Sequence, residues 1–456
     1  MSQLHVQRIE IYKLFRQYHH TIDLHQDEHV TILHGRNGVG KTVTLSLVEA
    51  LLRGDYQSLL KFPYEWLKIE FTNGTYIKAT QIHPTQSGKA SKSPRLPGTK
   101  PTKGKVATAV EIEHGSPERP LSFEVTLEDV LTNAQKISRD IFGLERIDEA
   151  RWIDRRAGDV ISAWEVVDRY GPLHLLESFN NQRSLDFTTG NAAPTIPVHF
   201  IQAQRLLKLT SGRSSGRSPT YREGTSVTTS VRDLAQDMAS KIQEADSRYR
   251  STSTQLDNTL PSRLFVPASK RRKISLKKIE QRVRDLEKER TRLRTIGLIS
   301  DAPSSFDPGL LTDEQLAMFS VYLEDSRAKL LVFEKLADKT EIILNTINRK
   351  FSPKTVELHK DQGYIVYSHD RLPLDLAALS SGEQHELVLM HNLLFRVQPG
   401  TLLLIDEPEL SLHVTWQREF LADLLQIVRN VGFDVLMATH SPYIVGTRDD
   451  LMVPLK

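Results

Sequence analysis

Residues 29–52, HVTILHGRNGVGKTVTLSLVEALL, constrain this chain more than any other stretch. A β-rich apolar run, HVTIL, leads directly into a loop with glycines at 35, 38 and 40. Beyond the loop, Val43, Leu45, Leu47, Val48, Leu51 and Leu52 recur with helical spacing. Strand, glycine loop and helix in this order predict an α/β core. The loop GRNGVGKT, residues 35–42, fits the spacing G-x-x-x-x-G-K-[ST] through Gly35, Gly40, Lys41 and Thr42, with Asn37 and Gly38 inside it. Glycines let successive backbone N–H groups turn toward a phosphate. The Lys41 ammonium would reach the outer phosphates of a nucleotide. The Thr42 hydroxyl would offer Mg²⁺ a hard oxygen ligand. A glycine turn with an incidental lysine is the alternative, and the flanking strand and helix weigh against it.

Two further apolar runs end in residues that such a loop could use. TLLLIDEPE, residues 401–409, is an apolar strand pattern with Asp406 and Glu407 at its tip. Unpaired acids are costly on a buried strand, so a partner is expected. Asp406 suits Mg²⁺, and Glu407 suits the polarisation of an attacking water. FDVLMATHSP, residues 433–442, places His440 at the end of another apolar strand, where open α/β sheets bind ligands. His19, His20, His25 and His34 lie among polar residues without metal-ligand spacing and are assigned no such role. LSSGEQHELV, residues 379–388, sets two serines and a glycine before a helical run. That is a helix start, whose orphan N–H groups can hold an anion.

The remainder predicts the frame. Residues 4–34 read as short strands. Asn73-Gly74, between the alternating apolar residues of 66–80, signals a hairpin. No acidic residue occurs between Glu70 and Glu111, and residues 82–105 read as a flexible basic loop. PVHFIQAQRLL, residues 197–207, reads as a buried strand, and 210–226 as a second basic segment. From about 231 to 350 the pattern is helical. One heptad seam runs through Leu276, Ile279, Val283, Leu286, Leu293 and Ile296, and a second from Leu316 to Ile347. A short coiled-coil hairpin and a globular bundle both fit these seams. The expected division is an N-terminal lobe over 1–208, a helical insertion over 209–350 and a C-terminal lobe over 351–456. The core is thus split by the insertion.

Composition narrows the class. The 456 residues carry a net charge of only +3, so nucleic-acid contact would have to come from local basic segments such as 89–105, 205–222 and 269–273. With no cysteine, disulfides and thiolate metal sites are excluded. No apolar run reaches membrane-spanning length and the N-terminus is not a signal peptide, so a cytoplasmic protein is expected.

The phosphate loop, LSSGEQ, LLLIDEPE and THSP occur in one order, and in that order the sequence resembles an ABC-class ATPase, in the soluble branch that includes the SMC and RecF proteins and the OLD-type ATPases. The resemblance implies ATP and Mg²⁺ as cofactors and an ATPase head with a split core sheet. It implies that Ser380 and Gly382 contact the γ-phosphate held by a second copy, giving an ATP-sandwich homodimer or higher homo-oligomer. ELSLH, residues 409–413, stands where that class has its protomer-bridging loop. FIQAQRL, residues 200–206, resembles the strand carrying its Mg²⁺-sensing glutamine, with Gln204 preferred to Gln202. His440 matches the switch histidine. The insertion is far too short for the arm of an SMC protein. The short insertion and the tail resemble the ATPase subunits of PARIS-type and Septu-like anti-phage systems. That implies a separate effector, a Toprim-type nuclease, gated by the ATPase and released by a phage trigger. The acids of the insertion, Glu280, Asp285, Glu287 and Glu289, lie on charged helix faces, and only sixteen residues follow His440. No effector chemistry is therefore expected in the chain itself. The rival reading is a RecF-like ATPase that binds DNA in repair.

Overall fold

The structure, a computed structural model, describes residues 4–83, 109–116, 119–141, 143–148, 151–155, 159–163, 166, 196–202, 227–264, 275–300, 309 and 311–455. In chain order the elements begin with β1 (Val6–Leu14), β2 (Tyr18–Asp23), β3 (Val30–His34), α1 (Lys41–Arg53), β4 (Trp66–Phe71) and β5 (Tyr76–Ile82). They continue with β6 (Ala109–Ser116), β7 (Arg119–Thr126), α2 (Leu127–Asp140), β8 (Leu144–Arg146), β9 (Arg151–Asp154), β10 (Asp159–Ser162) and β11 (Val198–Gln202). Four helices follow: α3 (Val227–Leu264), α4 (Leu276–Thr295), α5 (Asp313–Leu331) and α6 (Glu334–Phe351). The chain then forms β12 (Thr355–His359), β13 (Gly363–Tyr367), β14 (Pro373–Leu374), α7 (Ser381–Phe395) and β15 (Leu402–Asp406). Last come α8 (Val414–Val431), β16 (Asp434–Ala438), α9 (Pro442–Val445) and β17 (Met452–Pro454). No helix among the described residues is long and apolar enough to cross a membrane.

The elements fall into two compact units. The first comprises Met1–Ala203, Gln398–Leu410 and Gly432–Lys456. Its central sheet is parallel, in the order β11-β15-β16-β3-β17, and so draws strands from both ends of the chain. Every residue of β15 and β16 is buried. A parallel sheet covered on both faces selects such unbroken apolar runs, which is why LLLID and DVLMA show no alternation. A six-stranded antiparallel sheet, β2-β1-β4-β5-β6-β7, alternates instead. Helix α1 sends Leu45, Val48, Leu51 and Leu52 into one core with Val6, Ile9 and Ile11 of β1 and Leu402 and Leu404 of β15. The Asn73-Gly74 hairpin forms between β4 and β5, with Gly74 in left-handed backbone and Asn73 Oδ1 accepting from Thr75 N–H.

The second unit comprises Gln204–Val397 and Ser411–Val431. It holds the predicted helical insertion, and the helices differ from a plain two-helix hairpin. Helix α5 packs against both α3 and α4, with Lys329–Asp257 (3.0 Å) joining it to α3 and Arg282–Glu324 (3.0 Å) joining it to α4. The second heptad seam also breaks at residues 332–333, between α5 and α6. The break lets Phe333 bury almost completely beside Tyr249 of α3, with ring centroids 5.6 Å apart. Leu276, the first seam residue, is exposed, whereas Ile279, Leu286 and Leu293 are buried.

Below these helices, Lys350 is 1% exposed and lies between Glu386 of α7 and Asp423 of α8, its ammonium 2.8 Å from Asp423. The two carboxylates hold the Lys350 ammonium above its ordinary pKa against the effect of burial. The basic segments 89–105, 205–222 and 269–273, and the preferred glutamine Gln204, lie outside the described residues.

Candidate functional site

In the first unit, the loop between β3 and α1 stands at the carboxyl edge of the parallel sheet. Gly40 caps α1 with φ near 97°, and a Cβ there would meet Leu14 Cδ2 at 2.7 Å, so the sequence must supply glycine. Gly35 is confined differently, because its Cβ would lie 3.0 Å from the Leu455 carbonyl oxygen, just beyond β17. Leu455 N–H donates to His34 O at 2.7 Å, which holds that strand against the loop. His20, buried under the loop, bonds through Nε2 to Val39 O at 3.0 Å. Burial lowers its pKa, so the neutral ring is favoured. This buttress was not apparent in the sequence, where His20 sits among polar residues.

Lys41 is buried and donates to Gly35 O at 2.8 Å and Arg36 O at 3.3 Å. Burial lowers its pKa, while Glu407, Asp406 and Glu409 oppose that shift, so all three acids lie within electrostatic reach of the ammonium. Asp406, last residue of β15, lies near enough to the Thr42 hydroxyl for that group to lower its carboxyl pKa. Burial pushes its carboxyl up, Glu407 and Glu409 push the same way, and Thr42 and Lys41 oppose. Its Oδ1 is buried without a hydrogen-bond partner among the described residues. A buried acid with a spare oxygen, beside a hydroxyl, is a donor set that suits a hard cation.

Glu407 carries φ near 47°, left-handed backbone that a glutamate rarely adopts. The conformation is pinned because Glu407 N–H donates to Ala438 O at 2.8 Å. Such strain persists where surrounding structure enforces it. Glu409 was not singled out from the sequence, and it organises the neighbouring strand end. Its two oxygens accept from Thr439 Oγ1 and His440 N–H, each at 2.8 Å. His440 itself is exposed at the carboxyl end of β16. Gln202 stands level with Asp406 in the β11–β15 register.

In the second unit, Ser380 caps α7. Its hydroxyl accepts from Glu383 N–H at 3.3 Å, and Glu383 Oε2 accepts from Ser380 N–H at 2.7 Å, a reciprocal capping box. Lys354 bonds both Glu383 oxygens, at 3.0 and 2.8 Å. Gln384 is buried and donates to Leu379 O at 2.8 Å and Ala377 O at 3.2 Å, fixing the approach to the helix. Gly382 leaves room beside Trp416, whose ring a Cβ would approach to 3.7 Å. Beyond β15, Leu410 of the first unit and Val414 of the second are both exposed apolar residues.

A glycine loop with a buried lysine, a hydroxyl near a buried carboxylate, and further acids thus gather at the carboxyl edge of the parallel sheet as a candidate site. The chain belongs to the family described as AAA domain, putative AbiEii toxin, type IV TA system, which matches residues 30–446. No curated protein matches it. Among solved structures it is similar to the Smc head domain with an extended coiled coil bound to the C-terminal domain of ScpA from Pyrococcus furiosus. That similarity is 11% identity and a TM-score of 0.30, covering 97% of this chain and 91% of the other. The SMC head domain from Thermotoga maritima is 9% identical, with a TM-score of 0.29 over 97% of this chain and 91% of that one.

Proposed function

We propose that this protein binds and hydrolyses ATP with Mg²⁺, and that hydrolysis governs the assembly of copies of the chain. The observation that carries the proposal is the buried Asp406 carboxylate, its Oδ1 without a hydrogen-bond partner among the described residues, at a strand end whose acids act on Lys41 of the loop. Lys41 would exchange its bonds to the loop carbonyls for the β- and γ-phosphates. Mg²⁺, held by the Thr42 hydroxyl and the Asp406 carboxylate, would neutralise charge developing on those phosphates. Glu407 would orient and deprotonate the attacking water. His440 would face the γ-phosphate, its backbone held by Glu409. Gln204 is assigned the Mg²⁺-sensing role. Gly35, Asn37, Gly38 and Gly40 would supply the backbone cradle. Ser380 and Gly382 would meet the γ-phosphate of a second copy.

We further propose that the assembly gates a separate effector, a Toprim-type nuclease, in anti-phage defence, with a phage product as trigger. The family's description as a putative toxin of a toxin–antitoxin system supports a conflict role. Glu407→Gln tests the core of the reading. It should bind ATP normally, slow turnover by about two orders of magnitude and accumulate an ATP-dependent dimer or higher oligomer in light scattering. Turnover at the wild-type rate would overturn the assignment of Glu407. DNA or RNA cleavage by the purified chain alone, surviving Glu407→Gln, would overturn the separate effector. Salt-dependent binding to duplex DNA would favour the repair reading instead.

A further inference from the structure

We infer that His5, His29 and Asp434 form a binding site for a zinc-class divalent cation at the amino edge of the parallel sheet. The three residues come from places far apart in the sequence. His5 precedes β1, His29 precedes β3 and Asp434 opens β16. Strands β3 and β16 run parallel, so this edge is the one opposite the phosphate loop.

The donor set is built around a buried acid. Asp434 is 3% exposed, and its carboxylate is met by imidazoles rather than by a lysine or arginine among the described residues. Oδ2 lies 2.7 Å from His5 Nδ1, and Oδ1 lies 2.7 Å from His29 Nδ1. One donor atom from each residue falls within 4.8 Å of the other two. A tetrahedral zinc ion with bonds of about 2.0–2.1 Å spaces its donors by about 3.3 Å. The nitrogen–oxygen pairs would therefore open by only about half an ångström to admit it. Two nitrogens and one carboxylate, which turns a different oxygen to each, suit zinc, and a chain without cysteine has no thiolate to offer. His29 is one-third exposed, which leaves the fourth position to water.

Hydrogen bonding alone explains the two distances but not the backbone beneath them. His29 has φ near 57°, in the left-handed region. It is locked there by His29 N–H donating to His25 O at 3.1 Å and Val435 N–H donating to His29 O at 2.8 Å. Glycine or asparagine would sit there with less strain. An imidazole at that position turns its Nδ1 onto the same carboxylate that His5 meets, with ring centroids 5.3 Å apart. A cation shared by all three gives that convergence a use. It would clamp the starts of β3 and β16 together without entering the phosphate site.

The test uses the full-length chain without a histidine tag, dialysed against chelator and titrated with zinc chloride in the absence of nucleotide. Stoichiometric zinc binding at micromolar or tighter affinity is expected, with a rise in Tm that chelator reverses. Cobalt(II) should give the visible ligand-field bands of a tetrahedral site. His29→Asn removes the imidazole while tolerating left-handed backbone, so it should fold and bind zinc at least tenfold more weakly. Asp434→Asn should lose binding as well. Lys41→Ala should bind zinc like the wild type, which separates this site from the phosphate loop. Absence of stoichiometric zinc uptake, or uptake unchanged in His29→Asn, would overturn the inference and leave a hydrogen-bonded clasp.

Discussion

Helices α1 and α7 both follow short glycine- or serine-bearing loops, yet their first turns are finished in opposite ways. Helix α1 begins at Gly40 with no side-chain cap and no acid in its first turn. Helix α7 begins at Ser380 with a complete capping box, and its own Glu383 carboxylate occupies the positive end of the helix. Either start would attract an anion on the strength of its orphan N–H groups and dipole. Only the first leaves that attraction to a molecule from outside. At the second, an incoming phosphate must share the helix start with Glu383, which Lys354 also holds. Under the proposed function, the uncapped start receives its ligand, and the capped one keeps its shape until a ligand is brought to it.

The contrast can be broken most decisively at α1. Lys41→Ala should weaken ATP binding in the presence of Mg²⁺ by roughly two orders of magnitude, since charge-assisted hydrogen bonds contribute about 1.5–3 kcal/mol. Calorimetric titration reads this directly, and unchanged affinity would show that α1 is not the receiving end. Next in size is Ser380→Arg, which should abolish any ATP-induced gain in mass while leaving nucleotide affinity intact. The same change removes the cap at a cost of about 1 kcal/mol in chemical denaturation. An assembly that persists would separate α7 from the protomer contact.

Glu383→Gln is smaller still. It keeps a capping-box side chain but loses the charge, at a cost below about 1 kcal/mol. Burial favours protonating Glu383, but Lys354 and the Ser380 N–H outweigh it and hold the carboxyl below its ordinary pKa. Its stabilising contribution is therefore present above the unfolded carboxylate value and is lost as pH falls through the folded one. In Glu383→Gln that part of the acid limb of a Tm-versus-pH curve should flatten.

Asp406 should behave with the opposite sign. Burial raises its carboxyl, with Glu407 and Glu409 adding to the effect. Its contribution is full below the unfolded value and is lost as pH rises through the folded one. At neutral pH, without nucleotide, Asp406→Asn should give a small rise in Tm. A fall would mean that Thr42 and Lys41, which oppose the shift, outweigh the cost of the buried charge.

Much of this arrangement could be read from local pattern. The apolar runs 30–34, 402–406 and 434–438 are buried strands because a covered parallel sheet demands uninterrupted apolar residues. The loop at 35–42 lies between strand and helix because its glycines permit little else, and α7 starts where Ser-Ser-Gly ends an apolar approach. What escaped the sequence depends on contacts between distant positions. Glu409 becomes a clamp only when β15 and β16 lie side by side, and His20 becomes a buttress only when β2 passes under the loop. The break at 332–333 interrupts an unbroken heptad pattern because Tyr249, far upstream, offers Phe333 a place to bury. His5 and His29 show no metal-ligand spacing to each other or to any nearby acid, because Asp434 joins them from the far end of the chain.

The strand order β11-β15-β16-β3-β17 also sets a timetable. Strand β3 carries the phosphate loop, and both of its hydrogen-bonded neighbours, β16 and β17, are synthesised about 400 residues later. Strands β1, β2, β4 and β5 can pair with near neighbours as soon as they emerge, so the antiparallel sheet has a local route to formation. The loop that follows β3 cannot be braced by Leu455, nor can Lys41 come within reach of Asp406, until β15 and β17 have been synthesised. A translation product interrupted in the helical insertion would hold an intact GRNGVGKT and no site. Competence at the loop is thereby tied to synthesis of the late strands β15, β16 and β17, with no separate device needed to silence shorter fragments.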